Sequence, residues 1–149
     1  KMARHPFCRA IRIDKISSAA LATTLLHYIR EEAVNKIPVW QMISQPQHRL
    51  KQRASELAKS LGPNASIIKG HSTLGGGSLP GGTLPTTLLK LDGVNSIDSL
   101  AAKIRNGNPH ILARIENEAL LLDPRTVNPK QDHLLIKAVT AALKSMSPH

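Results

Sequence analysis

Aromatic residues are almost missing: the 149-residue chain holds one Phe, one Trp and one Tyr. So few rings cannot build the stacking platforms that grip single-stranded nucleic acid. Cysteine is as scarce, with Cys8 alone, which excludes an internal disulfide framework and a Cys-based zinc site. Acidic side chains are few, 10 Asp+Glu against 20 Lys+Arg, for a formal charge of +10 and a pI near 10.3. No apolar run approaches the roughly 20 residues of a membrane span, and the N-terminus has no apolar signal-peptide stretch. The seven histidines form no His-x-x-x-His pair beside a suitable Glu, so no metal site is expected. No serine stands in a Gly-x-Ser-x-Gly elbow. A cytoplasmic protein with no membrane partner is the expectation.

What is present is a chain able to fold. Hydrophobic content of 41% with 20% charged residues is too apolar for a disordered basic tail, and the length suffices to bury a core. The charge is uneven. Residues 1–70 carry 12 of the 20 basic side chains and only Asp14, Glu31, Glu32 and Glu56 on the acidic side, so an anionic partner should meet the first half.

Periodicity divides the chain into elements. Leu21, Leu25 and Ile29, widened by Ala22 and Leu26, predict a helix from Ser17 or Ser18 to about Ala33. Pro38 breaks that pattern, and Val39 to Ile43 reads as a short apolar turn before Pro46. Leu50, Ala54, Leu57, Ala58 and Leu61 mark one face of a helix over about 47–61, with Arg49, Lys51, Arg53 and Lys59 on the others and Gly62-Pro63 as its stop. Residues 65–71 and 86–91 are β-capable, separated by a long Gly/Pro loop from Ser72 to Pro85. Ser96 is the expected N-cap of a helix ending near Gly107. Residues 111–115 and 119–123 predict a hairpin around Glu116-Asn117-Glu118. The last helix is expected to open at Asn128, with Pro129 at its first position and Gln131 completing a capping box. The predicted class is α+β: helices packed on one face of a small, mainly antiparallel sheet. Residues 1–45 hold no strand signal and read as a separate layer.

Two segments could carry chemistry. In RHPFCRAIRIDK (4–15), Arg9 and Arg12 are three apart, so on a helix both guanidiniums point the same way. Two converging forks suit a phosphate, a carboxylate or a similar oxyanion, although an isolated Arg-x-x-Arg is most often a solvated basic patch. Cys8 reads as an apolar filler. The second segment is the Gly/Pro loop at 72–85. Glycines let backbone N–H groups approach a ligand, but neither a Walker A nor a dinucleotide motif is present. Fourteen residues is nonetheless long for a passive connection.

Four stretches together resemble the C-terminal part of bacterial selenocysteine synthase, the L-seryl-tRNA(Sec) selenium transferase family: RHPFCRAIRIDK (4–15), IPVWQMI (37–43), GGGSLPGGTLP (75–85) and GNPHILARIENEALLLDPRTV (107–127). The resemblance implies a fold-type-I pyridoxal-phosphate (PLP) enzyme, assembled as a ring of dimers. Its reaction converts seryl-tRNA(Sec) to selenocysteinyl-tRNA(Sec) with selenophosphate as donor. It implies that residues 1–45 end the large PLP domain with its connecting helix and that 46–149 form the small C-terminal α+β domain. Arg9 and Arg12 match the arginine pair that binds the donor's oxyanion. Ser72 and Ser78 match, more loosely, lining residues of an active-site loop. The family's lysine-bearing Gly-Asp-Lys segment has no match, so this chain is expected to hold no catalytic residue and to be a fragment, an excised domain or the product of a truncated gene, inactive alone. Lys51, Arg53 and Lys59 could favour tRNA, but such basic helix faces are usually just solvated. Two other readings stay open: part of a paralogous PLP-dependent lyase acting on a small amino acid or sugar acid, and a non-catalytic basic RNA-binding module.

Overall fold

The computed structural model describes residue 5 and residues 7–75 and 81–146, with the side chains of Arg9 and Ala10 also outside the description. Contacts divide the chain into two compact units, Lys1–Ser44 and Gln45–His149.

The first unit is helical: α1 (Phe7–Ala10), α2 (Lys15–Ile29), α3 (Ala33–Lys36) and α4 (Pro38–Ile43). Helix α2 starts at Lys15, before the expected Ser17 or Ser18, with Asp14 as its N-cap. Its carboxylate accepts from the N–H groups of Ile16 and Ser17, both at 2.9 Å, and from the Ser17 hydroxyl at 2.6 Å. The carboxylate outcompetes the hydroxyls for the orphan amides of the first turn because it accepts several bonds at once. The helix also stops short of Ala33. Glu31 takes φ 57°, and the Glu31 and Glu32 N–H groups turn back to the Tyr28 and His27 carbonyls, a left-handed C-terminal closure. Val39–Ile43, expected as a turn, is helical because Pro38 occupies the first position of α4, where no N–H is needed. The Trp40 indole N–H donates to the Tyr28 hydroxyl at 2.7 Å, linking α4 to α2.

The second unit is the expected α+β arrangement. Its order is α5 (Gln47–Leu61), β1 (Ala65–Thr73), β2 (Thr83–Leu91), α6 (Ile97–Asn106), β3 (Arg114–Glu116), β4 (Ala119–Leu122) and α7 (Asp132–Lys144). Two 3-10 turns, Pro124–Thr126 and Pro129–Gln131, join β4 to α7. The sheet is antiparallel throughout, in the order β1-β2-β4-β3. Leu57 and Leu61 of α5, Leu100 and Ile104 of α6, and Leu135 and Val139 of α7 pack with Leu89, Leu91, Leu120 and Leu122 of the sheet. On the opposite face Leu88, Ala119 and Leu121 form a second, smaller cluster with Ile68. Ser96 caps α6 as expected, accepting from the Ser99 N–H at 3.2 Å.

Three boundaries move. β1 and β2 extend to Thr73 and Thr83, so the connection between them is shorter than the composition suggested. Pairing in the second hairpin begins at Arg114, because residues 110–113 form an irregular lead after the cis Asn108–Pro109 bond. Asn128 caps the 3-10 turn, its side chain accepting from the Lys130 N–H at 3.0 Å, while α7 opens at Asp132 and Gln131 makes no capping bond.

The hairpin turn gives a test. Asn117 and Glu118 both sit at positive φ, 49° and 55°, as a two-residue turn of the type that matches strand twist requires. A Cβ atom is strained there, so Glu118→Gly should stabilise the fold by about 1 kcal/mol. That corresponds to a rise of roughly 2–4 °C in Tm by thermal unfolding for a chain of this size.

Candidate functional site

Around RHPFCRAIRIDK the chain makes one short helix and then an extended link. The Phe7 N–H donates to His5 Nδ1 at 3.2 Å and the Cys8 N–H to the His5 carbonyl at 3.0 Å, which starts α1. The Ile11 N–H reaches the Phe7 carbonyl at 3.2 Å, and the helix ends there. Arg9 therefore lies on α1 and Arg12 on the link beyond it, and the shared helical face expected from their spacing does not form. The reason is Asp14: it nucleates the next helix, and the residues just before a cap are non-helical. Arg12 is exposed. The nearest carboxylate in sequence, Asp14, is occupied by α2, and these hydrogen bonds, first that of the Ser17 hydroxyl, hold its pKa below the ordinary carboxylate value. Glu32 is shifted the same way, chiefly by its hydrogen bond with His27, whose Nδ1 lies 2.7 Å from its oxygen.

The glycine-rich segment is placed differently from the expectation. Ser72 belongs to strand β1, not to the loop, and is buried. Its hydroxyl donates to Asp123 at 2.5 Å and accepts from Arg125 Nε at 3.1 Å, so it is engaged inside the domain. Ser78 lies outside the described residues. The strands continue until the Leu74 N–H meets the Gly82 carbonyl at 3.0 Å.

Two arginines that look like surface charge in the sequence are interior. Arg125 is 5% exposed, and its Nη2 donates to the Pro85 carbonyl at 2.8 Å. Asp123 additionally accepts from the Thr86 hydroxyl at 3.1 Å and the Arg125 N–H at 3.0 Å. Arg53, expected on a basic face of α5, instead forms a fork on Asp132 at 2.7 and 2.5 Å and donates to the Pro124 and Val127 carbonyls at 2.6 and 2.9 Å. It cannot contribute to an exposed tRNA face; Lys51 and Lys59 remain exposed. The segment 123–132 is thus held from both sides. It forms one wall of a groove of about 360 Å³ whose apolar lining includes Ile111, Leu122, Val127 and Leu135. Among the described residues no three His, Cys, Asp or Glu side chains converge on a metal position, and no helix is long and apolar enough to cross a membrane.

The family model for L-seryl-tRNA selenium transferase, SelA, matches residues 1–128. The chain belongs to the L-seryl-tRNA selenium transferase family. It is 40% identical over 133 residues to the L-seryl-tRNA(Sec) selenium transferase of Carboxydothermus hydrogenoformans, covering 85% of this chain and 28% of the relative. It is 37% identical over 155 aligned positions to that of Geotalea daltonii, covering 99% of this chain and 33% of the relative. With the Clostridium perfringens protein the identity is 38%, over 85% of this chain and 29% of the relative. The chain spans about a third of the length of these selenium transferases.

The sequence pointed to Arg9, Arg12, Ser72 and Ser78, named Arg53 only as a basic-face residue, and gave no role to Asp123, Arg125 and Asp132. The one local sign was ALLLDPRTV (119–127), where charges follow directly on a strand of leucines; an ion so close to a core must have partners. The Asp14 cap supplies a pH test. A depressed pKa means its contribution is complete above the ordinary carboxylate value and is lost as the pH falls through the lowered one. Amide shifts of Ile16 and Ser17 should move together in that acidic range in NMR titrations. Asp14→Asn, which keeps an N-capping side chain, should remove that dependence.

Proposed function

We propose that this chain is the C-terminal portion of an enzyme that converts seryl-tRNA(Sec) to selenocysteinyl-tRNA(Sec) with selenophosphate. In this reading residues 1–45 finish the large domain of a fold-type-I PLP enzyme and residues 46–149 form its small C-terminal domain. The observation that carries it is the family match across residues 1–128. Seryl-tRNA(Sec), a homo-oligomeric ring of dimers and a cytoplasmic location belong to the same reading.

PLP, when bound, supplies an electron sink for the bonds at the substrate Cα. A lysine that anchors it must give up its proton, which takes burial or a neighbouring charge. Among the described residues no lysine is buried: Lys90 is partly covered and paired with Asp92, and the others are exposed. These side chains do not fit the anchor, so no step of the reaction is assigned to a described lysine. The anchor belongs elsewhere in the full-length protein, and the 149-residue chain is inactive alone.

The part assigned to this chain is anion binding. Arg9 and Arg12 bind the oxyanion of the selenium donor, each guanidinium offering two parallel N–H donors to a tetrahedral or planar oxyanion. Their backbones sit three residues apart across the end of α1, and the exposed Arg12 has no described carboxylate bound to it. Cations held at a developing negative charge stabilise it. Arg9→Ala and Arg12→Ala in the full-length protein should each lower selenium transfer by on the order of 100-fold or more. The PLP absorbance should stay unchanged, and wild-type turnover in both variants would remove the assignment.

A further inference from the structure

The three long helices of the second unit lie on one face of the sheet, and α7 touches both α5 and α6. Its inner side is apolar: Leu135, Val139 and Ala142 are buried in the leucine layer. At ~100° per residue, His133, Lys137 and Lys144 point on average about 170° away from those three. They form a line on the outer side, about 16 Å long at ~1.5 Å per residue. Lys130, in the 3-10 turn that leads into α7, comes just before it. All four are exposed. On α5, Lys59 lies opposite the buried Leu50, Ala54, Leu57 and Leu61 in the same way.

No charge of opposite sign answers this line. The one acid of α7, Asp132, is held by the Arg53 fork, and the exposed acids of the neighbouring helices are Glu56 on α5 and Asp98 on α6. Among the described residues, the ammonium groups of Lys130, Lys137 and Lys144 make no ion pair and no hydrogen bond. The sheet is different: Lys90 is paired with Asp92, and Arg114 with Glu116. A row of unanswered cations along one helix is the electrostatic footprint of a polyanion.

The chemistry of this unit selects which polyanion. Residues 45–149 contain no Phe, Tyr or Trp, so no ring is available to stack on unpaired bases. A cationic helix holds a lipid surface when apolar side chains enter the bilayer beside it. The exposed large hydrophobics of this unit, among the described residues, are Leu112 and Ile115, and neither is on α7. The sugar-phosphate backbone of base-paired RNA is the fitting partner, a regular row of anions bound through charge and shape.

We infer that the outer side of α7, through Lys130, Lys137 and Lys144, binds the phosphate backbone of a double-helical stretch of RNA. That this RNA is seryl-tRNA(Sec) rests on the reaction proposed above. The family match ends at residue 128 and assigns α7 no role. The contact reads no base. It supplies affinity that falls with salt, because each phosphate neutralised releases counterions.

The test uses the full-length protein with Lys130→Ala, Lys137→Ala and Lys144→Ala combined, beside a control carrying Lys90→Ala and Arg114→Ala. Exposed substitutions of this kind leave the fold intact, which an unchanged Tm checks. Fluorescence anisotropy follows the binding of seryl-tRNA(Sec) and of an unrelated RNA duplex between about 50 and 200 mM salt. The triple variant should bind both RNAs about tenfold more weakly at the low-salt end. The slope of log K against log salt should flatten by roughly 2–3. The KM for seryl-tRNA(Sec) should rise while kcat at saturating tRNA holds, and the control should match wild type. Wild-type slopes and affinities in the triple variant, or an equal loss in the control, would overturn the inference. So would wild-type RNA binding with lost binding to phosphatidylserine vesicles, which would make the line a membrane contact. Absence of selenium transfer by the wild-type protein would overturn the proposed reaction, and the duplex slopes would still decide the role of α7.

Discussion

The antiparallel register of β2 on β4, with Leu89 opposite Leu122 and Leu91 opposite Leu120, is the constraint on which the second unit depends. These four leucines lie on one face of the sheet, and α5, α6 and α7 all bury their apolar stripes against them. Each fully buried leucine contributes roughly 1.5–3 kcal/mol, so the register gathers the largest favourable term of the unit in one layer. A slip by one residue would turn every leucine to the other face. The alternate positions are also apolar: Leu88, Ala119 and Leu121 close a smaller cluster there. β4 is therefore buried on both faces, which places it beside β2 at the centre of the sheet and leaves β1 and β3 as edges.

From that centre, order is passed outward by polar groups. The chain leaving β4 has to reach the start of α7 on the helical side, and it does so in two 3-10 turns held by opposed arginines. Arg125 and Asp123 bind the segment to the hairpin, while Arg53 binds it to α5 through Asp132 and two carbonyls. No buried side-chain nitrogen or oxygen among the described residues lacks a partner. A buried polar network satisfied in this way rigidifies the parts it joins, because any displacement strands several donors together. The first unit is built on a different principle. None of the residues of α2 is buried, and its local order comes from end capping by Asp14 and the left-handed closure at Glu31 rather than from a core.

Much of the second unit was legible. The apolar periods of α5 and α6, the Ser96 cap and the strand pairs around residues 70–85 and 117–118 carry signals that act within a few residues, and those signals survive folding. Misplaced boundaries had tertiary or competitive causes. Asp14, capping the Ile16 and Ser17 amides, moved the start of α2 ahead of Ser17. Asp132, gripped by Arg53, coincides with the start of α7 and lies past the Asn128 cap. Ser72 was drawn into β1 by partners 51 and 53 residues away. No window of local sequence contains such a pair.

By itself the sequence determined the family, the α+β class and the location of the arginine-bearing segment, because ordered motifs and apolar periods are properties of the linear chain. Only the tertiary structure decided which charges are surface and which are framework. Arg12 is left in solvent, while Arg53 and Arg125, no different in the sequence, become interior clamps. A guanidinium's role is set by whether carbonyls and carboxylates from distant segments converge on it once the leucine layer has closed. That convergence is a property of the folded domain alone.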